Sequence, residues 1–455
     1  MKAASDLYSA AKAYVQAAIA LLSADCPEGP PETPGGLREW VRSSGETFTL
    51  RDAGTPYWHK GVLSHEGQLH SFSEYRAFVD ALHADPPLAR HLGALVGTTH
   101  GRLRISEEQV ADHLIWTMAE KCGRFTFDSA EFDRLFAEFE ADLRRDDLDF
   151  IAAGPMPNFK CESLPLRLAP DLEIDYLTDE EIVRCLRLGI YPGIDLGGHL
   201  HLTAKCGIRC RFVQKKLFGE LRLTPDEMRK LQSLPEGLTD RFQDVLFALR
   251  LFKEGRISMP GLVIFSRQWP MNGGTASTRI DPGLRLANNY ELNTQEVLRF
   301  QRFWSDFERV RAVPFLDNAI RRFGYSGERH RPEDRLVDLL ISAESLFLSD
   351  TGETRERGEL RFRLALRFAF FTELDGYNRR ERFRLMRSAY DARSSVVHGG
   401  RLDEDDLKIP GEGKVPLSRF VDVVEEAIRY ALHKAIEIKP MGKTTPVDWD
   451  ALIFG

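Results

Sequence analysis

Tyr390-Asp391-Ala392-Arg393-Ser394-Ser395-Val396-Val397-His398-Gly399-Gly400 ends a segment whose pattern runs from Arg379. Within that segment Phe383, Leu385, Met386, Ala389, Tyr390, Val396 and Val397 fall on one arc of a 3.6-residue helix. Arg393 lies inside the arc, where a guanidinium needs either a partner or an anionic ligand. Gly399-Gly400 supplies a helix stop. His398 stands five positions after Arg393, about 140° away on a continuing helix, and is expected to swing back toward Arg393 as the last turn unwinds.

The same helical period extends through the C-terminal third. It predicts helices near residues 294 to 311, 314 to 323, 332 to 348, 356 to 373, 379 to 397 and 417 to 436, a bundle of the kind built by short connections. Leu360 to Phe368 also fits strand alternation, but it holds no β-branched residue and is predicted helical. In the helix opened by Pro332, Leu336, Leu339, Leu340, Ala343, Leu346 and Phe347 form an apolar stripe. Val337, Ile341 and Leu348 form a second, into which Glu344 intrudes. A half-buried glutamate and a half-buried arginine in one bundle are expected to pair, either as a purely structural ion pair or with Glu344 orienting Arg393.

With the run Pro332-Glu333-Asp334-Arg335-Leu336-Val337-Asp338-Leu339-Leu340-Ile341-Ser342-Ala343-Glu344-Ser345-Leu346-Phe347, the segment Ala392 to Gly400 resembles the Apea-like branch of the HEPN superfamily across roughly residues 314 to 440. That resemblance implies a small helical bundle whose arginine and histidine, with four to six residues between them, carry metal-independent endoribonuclease activity, usually across a dimer. It names Arg393 and His398 as catalytic and Glu344 as supporting. Ser394 stands where the family often has asparagine, aspartate or histidine. A role as toxin or phage-defence effector is implied by the same analogy. The chemistry needs no cofactor. A 2'-hydroxyl attacks the adjacent phosphorus while an imidazole, titrating near pH 6.5, moves protons and a guanidinium steadies the phosphoryl oxygens. Acid and base together call for two histidines, so a homodimer or higher homo-oligomer is expected.

The 455 residues carry a net charge of -7, and 43% of them are hydrophobic, which suits a globular chain and excludes a globally basic RNA-binding surface. Between Arg355 and Arg387, however, ten arginines stand against five acids. From this patch Arg379, Arg380, Arg384 and Arg387, with Ser394, are the candidate RNA contacts; a solvated face laced with i,i+4 ion pairs competes with that interpretation. Scattered cysteines at 26, 122, 161, 185, 206 and 210 suit a reducing cytoplasm. Ala17 to Leu22 followed by Cys26 mimics a lipoprotein signal, but Asp25 is a poor cleavage context and Leu7, Ala11, Val15, Ile19 and Leu22 suit an amphipathic helix. No apolar run reaches about 18 residues, so no membrane contact is expected.

The fold expected is an α+β N-terminal region followed by an all-α C-terminal bundle, divided as 1 to 150, 151 to 292, 293 to 440 and a tail from 441 to 455. In the first part Pro27 to Gly36 reads as a breaker, and the stretch to Ser73 as a loop followed by weak strands between Thr47 and Ser73. Leu103 to Ile105 is a predicted strand, Ser106 caps a helix to about Cys122, and Phe125 to Phe127 is a second strand. Asp128 with Glu131 is the capping box of a helix to about Arg145. Residues 158 to 214 read as β-rich, 224 to 254 as helix and 261 to 268 as strand. His199, His201, Cys206 and Cys210, taken as neighbours in a hairpin, are a weak zinc alternative. No Gly-x4-Gly-Lys-Ser/Thr phosphate loop, dinucleotide fingerprint or Gly-x-Ser-x-Gly elbow accompanies them. A phage or regulatory protein is expected to act on the N-terminal region as trigger. The alternative is a non-catalytic module that binds nucleic acid or dimerises.

Overall fold

Strand Asp147–Pro155 is apolar on both faces over its second half, as a strand buried between two layers must be. In the computed structural model it lies inside a six-stranded antiparallel sheet. The order is Thr275–Arg279, Gly261–Ser266, Asp147–Pro155, Cys206–Lys215, Leu172–Tyr176 and Leu166–Ala169. Described residues are 2–26, 38–52, 58–98, 101–190, 193–195, 197–218, 234–271, 275–279, 290–350, 357–399 and 407–455. The mixed α/β character expected of the first 290 residues is present, and helices dominate the C-terminal third.

Beside the main sheet, a smaller one orders Arg38–Ser44, Thr47–Asp52, His199–Leu202 and Gly193–Asp195. Its inner side chains Trp40, Phe48, Leu200 and Leu202 close on Ile182 and Leu186 of the helix Asp179–Arg187. That helix interrupts the middle stretch read as β-rich. Its capping box, Thr178 with Glu181, is the signal that the alternation of its neighbours obscured.

Several other expectations shift. Between Thr47 and Ser73 the chain makes one strand and then helices Trp58–Ser64 and Glu66–Leu69, where Trp58, Gly61 and Val62 supply the i, i+3, i+4 spacing of a buried face. Phe125 to Phe127 forms no strand; Phe125 simply buries its ring edge-on against Trp58. Asp128 does cap Ser129–Arg144, accepting from the amides of Ala130 and Glu131, but without the reciprocal Glu131 bond of a capping box. Ser106 caps Glu107–Cys122 as expected, with Gln109 completing the box. The Pro27 to Gly36 breaker lies outside the described residues.

The C-terminal helices are Thr294–Val310, Pro314–Ser326, Pro332–Phe347, Arg357–Phe371, Arg379–Val397 and Leu417–Ile438, each within a few residues of its periodicity. A short hairpin, Lys408–Ile409 with Gly413–Lys414, means the region is not wholly helical. Residues 441–455 are no loose tail. Helix Trp449–Phe454 sets Trp449, 4% exposed, against Phe347 and Phe371.

The expected boundaries also dissolve in places. A cut at 150/151 would sever the central strand, and helix Leu234–Phe252 packs on the bundle although it precedes residue 293. Gly324 makes that packing possible: a Cβ there would sit 2.1 Å from the Phe247 ring. Buried arginines seal the joint. Arg250 donates to the Gly324 carbonyl and pairs with Glu328 at 2.9 Å, while Arg429 donates to the Arg250 carbonyl and pairs with Glu425. One continuous apolar core therefore runs from Leu7 to Trp449. No helix among the described residues is long and apolar enough to cross a membrane.

Candidate functional site

Asn378 opens the motif helix through a full capping box with Glu381, and the helix runs unbroken to Val397. The helix stop works as expected, since Gly399 takes a left-handed φ of 70° that only glycine adopts readily. His398, however, does not swing back. Its amide still donates to the Ser394 carbonyl at 3.1 Å, so the hydrogen-bonded last turn reaches it, although its own φ of -90° and ψ of 9° have already left helical values. Five residues of helix turn the chain about 140° beyond a full circle. Arg393 therefore faces the bundle, whereas His398 projects from the solvent side and is exposed.

Arg393 meets the partner that its position demands. Its Nη2 lies 3.6 Å from Oε2 of Glu344, with 23% and 27% of the two side chains exposed. The contact is an ion pair without a close hydrogen bond, and the buried Nε of Arg393 has no partner. Burial pushes the Glu344 carboxyl above the usual carboxylate range, and Arg393 only partly opposes that rise. Ser394 is half-buried beside them, and its carbonyl is held by His398.

The solvent side of the same helix carries the basic candidates. Arg380, Arg384 and Arg387 are exposed and make no ion pair or hydrogen bond among the described residues. Their neighbours in the bundle are different. Arg322 and Arg329 hold Asp338, Arg335 holds Asp422 and Glu425, Arg361 holds Asp391, and Arg367 holds Asp350. Arg379 is also exposed, its guanidinium 4.1 Å from the Phe370 ring centroid. Spacings of four, three and eleven residues place Arg380, Arg384, Arg387 and His398 along one stripe, about 27 Å long, opposite Arg393.

Sequence reasoning missed two groups. Arg335 and Asp338 are more deeply buried than Arg393, at 8% and 3% exposure, yet both interleave with the apolar stripe of their helix at a spacing that could have revealed them. Phe362, within the stretch whose alternation also fitted a strand, is 54% exposed and meets Phe383 edge-on at 5.6 Å.

The zinc alternative loses its geometry. His199 and His201 are exposed on the smaller sheet, while Cys206 and Cys210 are buried in the main sheet, where burial raises both thiols to about 11. Strand alternation sends the histidines outward because Leu200 and Leu202 take the inward positions. Among the described residues no group of three or more histidine, cysteine or acidic side chains could hold a metal ion. Two clefts, of about 590 and 930 Å³, lie away from the motif. The larger borders Gly442-Lys443-Thr444, a triplet that lacks the earlier glycine of a phosphate loop (position 437 is Glu) and follows a helix rather than a strand.

No family model, curated protein or solved structure matches the chain.

Proposed function

We propose that the C-terminal helical region is a metal-independent endoribonuclease of the HEPN type that its motif resembles, acting in the cytoplasm as a toxin or phage-defence effector. The observation carrying this reading is the state of Arg393: a half-buried guanidinium with one unpartnered nitrogen, held loosely by a carboxylate that burial disfavours. Such a group retains donors for a phosphoryl oxygen. His398 then moves protons, activating the 2'-hydroxyl or protonating the leaving 5'-oxygen, and Glu344 limits the directions open to Arg393.

Within one chain Arg393 and His398 diverge by about 140°. The mechanism therefore places the working site between two copies, where each copy's motif complements the other's across a two-fold axis. The N-terminal α+β region is the proposed sensor, responding to a phage or regulatory protein.

Total RNA incubated with the purified chain in EDTA tests the proposal. Fragments ending in 2',3'-cyclic phosphate, lost in His398→Ala and Arg393→Ala with circular dichroism unchanged, are expected. Cleavage that survives both substitutions rejects the assignment. A second reading, a non-catalytic module for RNA binding or dimerisation, is favoured by one observation: Arg393 already has a carboxylate partner. It predicts RNA binding with no cleavage under any trigger.

A further inference from the structure

Beside the cations of the motif helix that have no ion pair among the described residues, the bundle leaves an aromatic side chain in water. Phe362 projects from helix Arg357–Phe371 with 54% of its surface exposed, although an aromatic ring on a helix interior position normally finds a core. Its edge-on contact at 5.6 Å is with Phe383, itself half-buried on the motif helix. Phe383 stands one turn before Arg387 and one turn after Arg379. Arg380, Arg384 and Arg387 continue the surface toward His398 without a carboxylate among the described residues to neutralise them.

On its other side Phe362 borders the larger cleft with Asp448 and Asp450, but on the motif-helix side the nearby acids are engaged. Asp391 binds Arg361 at 2.7 Å, Glu359 binds Arg363 at 2.7 Å, and Glu381 accepts the Asn378 amide. What stays open on the motif-helix side is positive charge and an aromatic face. A duplex offers phosphates but keeps its bases stacked inside; a single strand offers both phosphates and free base faces. Aromatic platforms flanked by arginine suit the second kind of ligand.

We infer that Phe362, with Arg379, Arg380, Arg384 and Arg387, forms a track for single-stranded RNA, with a base stacked on Phe362 and the backbone led along the arginines toward His398. The inference deepens the nuclease reading by naming its substrate class and rests on that reading for its purpose. Phe362 selects unpaired over paired RNA; the arginines bind both.

The test uses the full chain carrying His398→Ala, with fluorescence anisotropy on a labelled 12-nucleotide oligouridine and on an RNA duplex of equal length, across a potassium chloride series. Adding Phe362→Ala is expected to weaken single-strand binding about 5- to 100-fold with its salt slope unchanged, and to leave duplex binding alone. Phe362→Trp is expected to retain binding. Arg384→Ala is expected to weaken both ligands and to lower the single-strand slope by about 0.7. Equal binding by Phe362→Ala, an equal loss on the duplex, no binding of either RNA, or a change confined to the sedimentation coefficient overturns the inference; the last identifies a contact between copies instead. If the wild-type chain binds through Phe362 yet never cuts, the nuclease reading falls and the track stands. If it cuts with no dependence on Phe362, the reverse holds.

Discussion

Replacing Glu344 by glutamine separates a pair kept for function from one kept for stability. Coulomb's law for unit charges 3.6 Å apart gives about 4–5 kcal/mol at an effective dielectric near 20, an upper bound before desolvation is charged against it. The raised Glu344 carboxyl gives the sign of the net balance: burial penalises the ionised form by more than Arg393 returns. A group whose folded pKa is raised contributes stability below its unfolded value and loses it as pH rises through the folded one. Above that folded value the contribution is gone, so there Glu344→Gln is expected to be neutral or to stabilise by up to about 1 kcal/mol. Arg393→Met, which strands the carboxyl, is expected to cost about 2 kcal/mol. The double variant should recover most of that loss. Urea unfolding at pH 7 followed by circular dichroism reads the cycle, and cleavage of total RNA by Glu344→Gln reads the function, expected to fall about tenfold. A loss of more than 1 kcal/mol in Glu344→Gln alone, with equal loss in Arg393→Met, would show the pair to be a net stabiliser and would remove the argument that it is retained for its chemistry.

Mixing His398→Ala chains with wild type is expected to give cleavage that is not proportional to intact chains, measured across a titration of mixing ratios; strict proportionality refutes a composite site. Burial drives the His113 imidazole down to about 3, and burial with nearby Lys216 and Arg90 drives His91 down to about 4. Both stay neutral while the unfolded chain protonates below about 6.5, so stability is complete above that value and is lost as pH falls toward the folded values. The loss should reach about 2 kcal/mol per histidine at pH 5, and His113→Phe should flatten the urea-midpoint profile between pH 6.5 and 5. Trp449→Ala removes a ring packed on Phe347 and Phe371 and stacked by Arg367 at 5.0 Å. It should destabilise by about 3 kcal/mol in the same assay.

The helices of the last third were legible because each buries a single face, and a 3.6-residue period survives in the sequence whenever one face is wet. The apolar period from Arg379 and the glycine stop at Gly399 made the motif helix readable, while the capping box of Asn378 with Glu381 that opens it went unread. The pairing of Glu344 with Arg393 was legible for the same reason, since each is a charge intruding on an apolar stripe. Where both faces of an element are buried, as in Asp147–Pro155, periodicity disappears and a false boundary entered the middle of the sheet. His199 and Cys206 looked like neighbours along the chain, but a change of sheet within a few residues parts them, and local spacing carries no trace of that change.

The sequence by itself determined the helix frame, its caps and the two intruding charges, because these depend on residues within a few turns of one another. Only the tertiary structure decided which way those charges are used. It carried the hydrogen-bonded last turn as far as His398, turned Arg393 onto Glu344, left Arg380, Arg384 and Arg387 without partners among the described residues while pairing the arginines around them, and exposed Phe362 beside them. Each of these outcomes depends on what a neighbouring helix offers at a given height, and partners that lie tens of residues away in the chain set that offer.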